Sequence, residues 1–420
     1  MKHDYPEAWN NLGIIYRLRG QFEGSKDCFR KALLLRPAYA EACNNLGNAL
    51  KDCGEMDEAI FFYQQAIQLK DTADNHHNLA LALMATGRLQ EGWREYEWRW
   101  KSNQLASGFR SFTQPLWQGE FAKGKTLLLH AEQGFGDTLQ FCRFATFVIE
   151  RGLRVILEVQ PSLVRLMKSL AGVEAVVARG QPLPAFDLHC PLLSLPLVFN
   201  TSLETIPVAT SYLSADHEAV SVWRDRLLEH DGFFKVGLVW AGKPQRHTPD
   251  LAATDRRRSM PPEHLAPLAD IEDVRFFSLQ KEGQLAPAEL TLVDYMDRCH
   301  DFADTAALIA NLDLVISVDT AVAHLAAAIG KPVWLLNRLD TCWRWLQNRE
   351  DSPWYPTLRI FRQPCAGDWQ SVIANVRDAL IHQSKFSVSS DDPSWPPLFL
   401  SEAPQTSHLN PSMQKFSANL

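Results

Sequence analysis

Two short polar turns hold the groups in this chain best placed to do chemistry. One is Gly134-Phe135-Gly136-Asp137 and the other is Asp319-Thr320. An acid at such a turn can accept a proton from a hydroxyl, or it can simply cap the helix that follows. For Asp137 the residues alone favour the cap, and for Asp319 both readings stand. Basic and amide groups sit near other turns: Lys243, the run Arg256-Arg257-Arg258, and Gln280 with Lys281. Lys243 and one or two of the arginines would neutralise a diphosphate held at a helix N-terminus beginning at Thr320. The alternative for the arginine run is a solvated loop. His324 follows one turn into an apolar stretch, as a satisfied core residue or a ligand near the helix mouth.

The elements that must position these groups can be read from pattern. Leu314 to Val318 is a short apolar run rich in β-branched residues, the mark of a strand buried on both faces of a parallel sheet. Ala321 to Ile329 reads as a buried helix that Gly330 stops, and Val333 to Leu336 as the next strand. This is one βαβ unit, with Asp319-Thr320 at the carboxyl end of its first strand. Open α/β sheets bind ligands at that edge, and the free N–H groups of the helix favour an anion. The strand exits at Lys243, at Gln280 with Lys281, and at Asp319 with Thr320 share one edge of a parallel sheet, so these groups can converge. Gln245-Arg246-His247 adds polar, basic character after Lys243. Asp304-Thr305 is expected to cap the preceding helix.

A similar unit lies upstream. Thr126 to His130 reads as a strand, Thr138 to Glu150 as a helix, and Val155 to Val159 as a strand, with further short strands at 173–178 and 187–190. A dinucleotide fingerprint would need glycine at position 139, which is Leu139, so a nicotinamide cofactor is disfavoured. Gly134 and Gly136 still permit a sharp turn and close approach of a ligand to the backbone.

Residues 1 to 104 hold an internal repeat of about 34 residues, the period of tetratricopeptide repeats. Trp9, Leu12, Gly13, Tyr16 and Gly20 recur as Cys43, Leu46, Gly47, Leu50 and Gly54. A third copy, one residue shorter, carries His76, Leu79, Ala80, Leu83 and Gly87. Such an array offers a concave surface to a protein or peptide and does no chemistry itself. Its last stretch, Trp93 to Trp100, is aromatic enough to be pressed against another domain. The first repeat begins almost at Met1, which leaves room for the array to continue upstream in relatives or in a longer form.

The expected organisation is therefore helical repeats over 1–104, one α/β domain over 113–212, a second over 232–385, and a Ser/Pro-rich disordered tail over 386–420. The chain has 420 residues and a net charge of −7, which argues against a general nucleic-acid binder. Its 8 cysteines are scattered, with no C-x-x-C pair, so reduced core thiols are expected rather than zinc. No apolar segment is long enough to span a bilayer, and a cytoplasmic location follows.

Two doubly wound halves in series resemble a GT-B glycosyltransferase, and most closely the bacterial heptosyltransferase-like group in its version fused behind tetratricopeptide repeats. The stretches that carry the likeness are His130 to Asp137, Phe186 to Leu192, Val236 to Gly242, Asp301 to Thr305 and Ser317 to Leu325. Protein O-GlcNAc transferases are similar more distantly. The resemblance implies Asp137 as general base. It implies that Asp319, Thr320, Ala321 and His324 hold the donor nucleotide-diphosphate, with Lys243 or an arginine of 256–258 neutralising phosphate. It also implies an inverting transfer without a metal, in keeping with the lack of any D-x-D. No cofactor is expected beyond the nucleotide-sugar co-substrate. The rival expectation is an adaptor, whose repeats bind a partner and whose degenerate GT-B half only senses a nucleotide sugar. An epimerase is disfavoured, because a small-molecule isomerase needs no peptide-binding groove.

Overall fold

In the computed structural model, residues 5–102, 110–244, 249–281 and 285–387 are described. The expected basic residues Gln245-Arg246-His247 lie outside them. Residues 386 and 387 end the last helix, and the rest of the expected tail is also outside them.

The repeats form six helices, α1 (Pro6–Leu18), α2 (Phe22–Leu35), α3 (Ala40–Asp52), α4 (Met56–Leu69), α5 (Ala73–Ala85) and α6 (Leu89–Tyr96). Three tight turns join them in pairs. Gly20, Gly54 and Gly87 hold φ of 77°, 82° and 85° there, a left-handed conformation that side-chain-bearing residues avoid. A short 3-10 turn, Glu97–Lys101, closes the array.

The first α/β lobe is a four-stranded parallel sheet of β1 (Thr126–His130), β2 (Arg154–Val159), β3 (Val173–Ala178) and β4 (Leu188–Pro191), in the order β3-β2-β1-β4. The second lobe is a six-stranded parallel sheet of β5 (Phe234–Val239), β6 (Val274–Ser278), β7 (Leu292–Asp294), β8 (Leu314–Val318), β9 (Val333–Asn337) and β10 (Leu358–Arg362). Its order is β10-β9-β8-β5-β6-β7. Strand order reverses between β1 and β4 in the first lobe and between β5 and β8 in the second. In open α/β sheets the crevice outside such a switch point is where ligands bind. Both polar turns singled out in the sequence lie at these points, one after β1 and the other after β8.

The helix expected over 138–150 is broken. It runs as α7 (Phe135–Phe141), a 3-10 turn at Cys142–Phe144, and a second short helix at Ala145–Glu150. Pro262–Leu268 is a 3-10 helix. The cap expected at Asp304 belongs to Asp301, whose Oδ1 accepts from Ala303 N–H and Asp304 N–H. Asp304 instead accepts from His300 N–H.

One apolar cluster runs through the repeats, the first lobe and one face of the second sheet, and a second fills the other face. Among the described residues no helix is long and apolar enough to cross a membrane. All eight cysteines are unbridged, and five are buried.

Candidate active site

The two polar turns face each other across the gap between the lobes. Val239 pairs with Ser317 in the second sheet, so the chain leaving β5 runs beside the chain leaving β8. After β8, Asp319 and Thr320 are half-buried. Thr320 is the N-cap of the helix Ala321–Ala328 and makes no side-chain cap bond. Its hydroxyl instead lies 3.1 Å from Ser317 Oγ. Among the described residues the first N–H groups of this helix have no side-chain cap, the condition that favours an anion there. The simple cap role for Asp319 is not what the structure holds.

Asp137 is the third residue of α7 and its carboxylate is engaged twice. Oδ2 accepts from Gly134 N–H at 2.9 Å, and Oδ1 pairs with Arg344 Nη2. Arg344 follows β9, so this ion pair joins the lobes. The guanidinium also donates to Gln140 Oε1 at 2.6 Å and lies 4.3 Å from the Trp343 ring. Burial opposes its charge, but Asp137 and Cys342 outweigh that and raise its pKa. From the sequence, Trp343-Arg344-Trp345 could line the cleft or lie in the core, and an irregular segment has no periodicity to choose between the two.

At Gly136 the lobes are in close contact. A Cβ placed on it would lie 2.9 Å from His324 Cδ2, so any larger residue would have to push this helix away. His324 itself is buried and fixed. Its Nδ1 lies 2.8 Å from Tyr355 Oη, and its ring stacks on Trp345 at 5.2 Å. Burial first, and then the nearby Arg344 charge, lower its pKa to about 3, so it stays neutral at ordinary pH. Two further contacts span the gap. Arg165 pairs with Asp301 and Asp304 at 2.9 and 3.0 Å, and Phe135 packs on Phe302 with ring centroids 4.9 Å apart.

The other predicted residues are placed as follows. Lys243 is exposed just after β5. Gln280 brackets the β5 exit: its Oε1 accepts from Ala241 N–H at 3.0 Å and its Nε2 donates to Ala241 O at 3.0 Å. Lys281 donates to Cys299 O at 3.0 Å. Arg258 pairs with Asp255 and lies over Gly242. Arg257 reaches the repeats, bonding Asp340 Oδ2 at 2.9 Å and Asp52 Oδ1 at 3.3 Å. Gly134, Gly136, Asp137 and His324 are thus in one place with Arg344, and the Asp319 charge is felt at both His324 and Cys342. Gln280, Lys281, Arg257 and Arg258 have polar atoms committed to neighbours of their own.

The repeats press on the back of this site. Arg99, buried, makes a two-pronged pair with Glu132 at 3.2 and 3.0 Å and donates to Ser194 Oγ at 2.8 Å. Gln133 Nε2 donates to Tyr96 Oη at 2.8 Å. The segment leading into the Gly134 turn is therefore held by the end of the array. Metal-ligand types cluster at Glu23, Cys53 and Glu55, but Lys26 Nζ already lies 2.8 and 2.6 Å from the two carboxylates.

Comparison with known proteins finds several similarities. A tetratricopeptide repeat model matches residues 6–39 and 40–72, and a glycosyltransferase family 9 (heptosyltransferase) model matches residues 300–336. The latter spans Asp301, Asp319, Thr320 and His324. Protein FlbA of Caulobacter vibrioides is 29% identical over 412 residues, covering 89% of this chain and 67% of that protein. A peroxisomal targeting signal receptor of Eremothecium gossypii is 38% identical over 87 residues, 20% of this chain and 15% of the receptor. Among solved structures, the glycosyl transferase family 9 protein of Veillonella parvula is similar with a TM-score of 0.45 and 9% identity, covering 65% of this chain and 99% of that one. The E. coli ADP-heptose heptosyltransferase II is similar with a TM-score of 0.42 and 12% identity, covering 62% and 99%. The chain thus joins a helical array that matches tetratricopeptide repeats to an α/β region of which residues 300–336 match the glycosyltransferase family 9 (heptosyltransferase) model.

Proposed function

We propose that this chain transfers a sugar from a nucleotide-diphosphate donor to an acceptor hydroxyl, with inversion and without a metal. The observation that carries the reading is the meeting of the Gly-Asp turn with the Asp-Thr turn, through Gly136 against His324 and Asp137 against Arg344. Asp137 takes the proton of the acceptor hydroxyl as that oxygen attacks the anomeric carbon. The bond to the diphosphate breaks, and its charge grows on the leaving oxygen. The N–H groups at Thr320 and Ala321, with Lys243 and Arg344, stabilise that growing charge more than the ground state. Arg344 then has two anions to choose between, and a bound diphosphate would draw it from Asp137 and free the base. Neutral His324 keeps its helix at the required distance. No cofactor takes part, the nucleotide sugar being a co-substrate. The acceptor is a protein or peptide held by the repeats, working in the cytoplasm.

A second reading is favoured by one observation, the double engagement of the Asp137 carboxylate. An acid so held suits an adaptor that binds a nucleotide sugar without turning it over. Calorimetry with ADP-, UDP- and GDP-sugars, followed by a transfer assay on proteins captured by the repeats, separates the two. Binding with transfer supports the enzyme. Binding with neither transfer nor hydrolysis supports the adaptor, and no binding by any nucleotide sugar rejects both.

A further inference from the structure

A cavity of about 370 Å³ opens in the seam between the first repeat and the second lobe, away from the gap that holds Asp137. That volume is near the low end for small-molecule pockets. Its wall combines Arg19 and Phe22 at the turn of the first repeat with Arg256 and Arg257 at the end of the helix Pro249–Arg258. Gln363 after β10 and Trp369 at the start of the last helix complete it.

Charge in this wall is unbalanced towards positive. Its two acids, Asp52 and Asp340, are each held by two arginines. Asp52 accepts from Arg17 at 2.9 Å and from Arg257 at 3.3 Å. Asp340 takes Arg257 at 2.9 Å and Arg338 at 3.3 Å. Arg19 and Arg256 are exposed, and among the described residues neither has a carboxylate partner. Gln363 adds an independent sign. It is 3% exposed, and its Oε1 accepts from Leu339 N–H and Gly367 N–H, both at 3.2 Å. Those two donors fix the orientation of the amide. Nε2 is left as a buried donor with no acceptor. Such a group costs stability unless something accepts from it.

We propose that this seam cavity binds a small phosphomonoester, such as a sugar phosphate. Arginine forks match phosphate oxygens in geometry and charge. Phe22 and Trp369 give flat apolar walls for the ring that carries the phosphate, and the unpaired Gln363 amide lies in the same wall. Because the ligand would touch both the repeats and the second lobe, its binding strengthens the seam between them.

The test is titration calorimetry of the full chain at low ionic strength with inorganic phosphate, glucose 1-phosphate and ADP. Saturable binding of glucose 1-phosphate is expected, tighter than inorganic phosphate if the ring walls contribute. Either Arg19→Ala or Arg256→Ala should weaken it about tenfold, and the pair about a hundredfold. Both side chains are exposed, so the unliganded unfolding midpoint should hold. The ligand should raise that midpoint in the parent chain and not in the double variant. Binding absent for both phosphate probes, or binding that survives the double substitution, overturns the proposal. So does phosphate binding that is lost instead in Lys243→Ala, which would place the anion in the gap between the lobes. ADP binding that responds to Lys243→Ala alone keeps the donor reading separate from this one.

Discussion

Asp137 combines a structural duty and a chemical one in a single carboxylate, and the two can be measured apart. In Asp137→Asn the remaining side-chain oxygen can still take Gly134 N–H, but Arg344 loses its counter-charge while largely withdrawn from water, its side chain 12% exposed. Removing one member of a buried pair leaves the other uncompensated, so unfolding should become easier by about 2–3 kcal/mol, and transfer should fall about 10²-fold or more. Adding Arg344→Gln to that variant removes the stranded charge. Denaturant unfolding of the double variant should recover much of the stability while transfer stays lost. Recovery of both, or of neither, would mean the acid is no base or the pair no strut. Histidines give a second measurement at this scale. Burial lowers His77 to about 4, and His130 and His324 to about 3, from 6.5. Each is neutral in the folded chain at pH values where the unfolded chain has already taken up a proton. Stability is therefore complete above about pH 6.5 and falls as pH drops towards 4, by at most roughly 1.4 kcal/mol per pH unit for each. Unfolding midpoints that stay level between pH 7.5 and 5 would contradict this. Asp319 was legible because it interrupts an apolar run where a strand must end, and Asp137 because it closes a glycine-rich turn ahead of a helical pattern. Arg344 was not, since only the folded chain brings residue 344 to residue 137.

α7 and the helix Ala321–Ala328 meet because both are built from small or flat residues where they touch. Gly136 gives α7 no side chain at the point of contact, and Ala321, Ala323 and Ala327 keep the partner helix thin. His324 cannot easily retreat, being held by Tyr355 Oη and stacked on Trp345. Gly136→Ala should therefore cost about 1–3 kcal/mol as overpacking. It should also weaken nucleotide-sugar binding, because the added methyl parts the two turns. A variant as stable as the parent, with the same affinity, would show that the helices have slack. Strands were the most readable elements, since β1, β5, β8 and β9 are fully or almost fully buried and their sequences are near-continuous apolar runs. Helix ends were less so. Asp301 and Asp304 are both acids at this helix start, and only backbone geometry decides that Asp301 caps while Asp304 reaches back to His300 N–H. The break at Cys142–Phe144 has no proline or glycine to announce it.

At the scale of the whole molecule the repeats are part of the core of both lobes. Trp93 of α6 is 1% exposed and meets Phe141 of the first lobe at 6.1 Å, and Trp343 and Trp354 of the second at 5.2 and 6.4 Å, by ring centroids. Its indole N–H donates to Thr201 O at 3.2 Å. The order of the modules could be read from the chain, and so could the docking of the aromatic end of the array. That the first two repeats also reach the second lobe could not, because Arg17 with Asp250 and Arg257 with Asp52 are pairs that only the folded array brings together. The array is thus fastened at both ends, by aromatic packing at α6 and by ion pairs at α1 and α3. Of the two, the aromatic junction should govern cooperativity, since it is buried and touches all three modules at once. Trp93→Ala should cost about 3–5 kcal/mol. The polar seam alone should not replace that coupling: Arg17–Asp250 has an exposed partner and contributes little, and desolvation offsets much of the attraction in the more buried Arg257–Asp52 pair. Calorimetric unfolding of the parent should be one transition, and that of Trp93→Ala should broaden or divide, with the repeats melting before the lobes. A variant that still unfolds in a single sharp step would show that the seam at the first repeat, rather than Trp93, joins the array to the lobes.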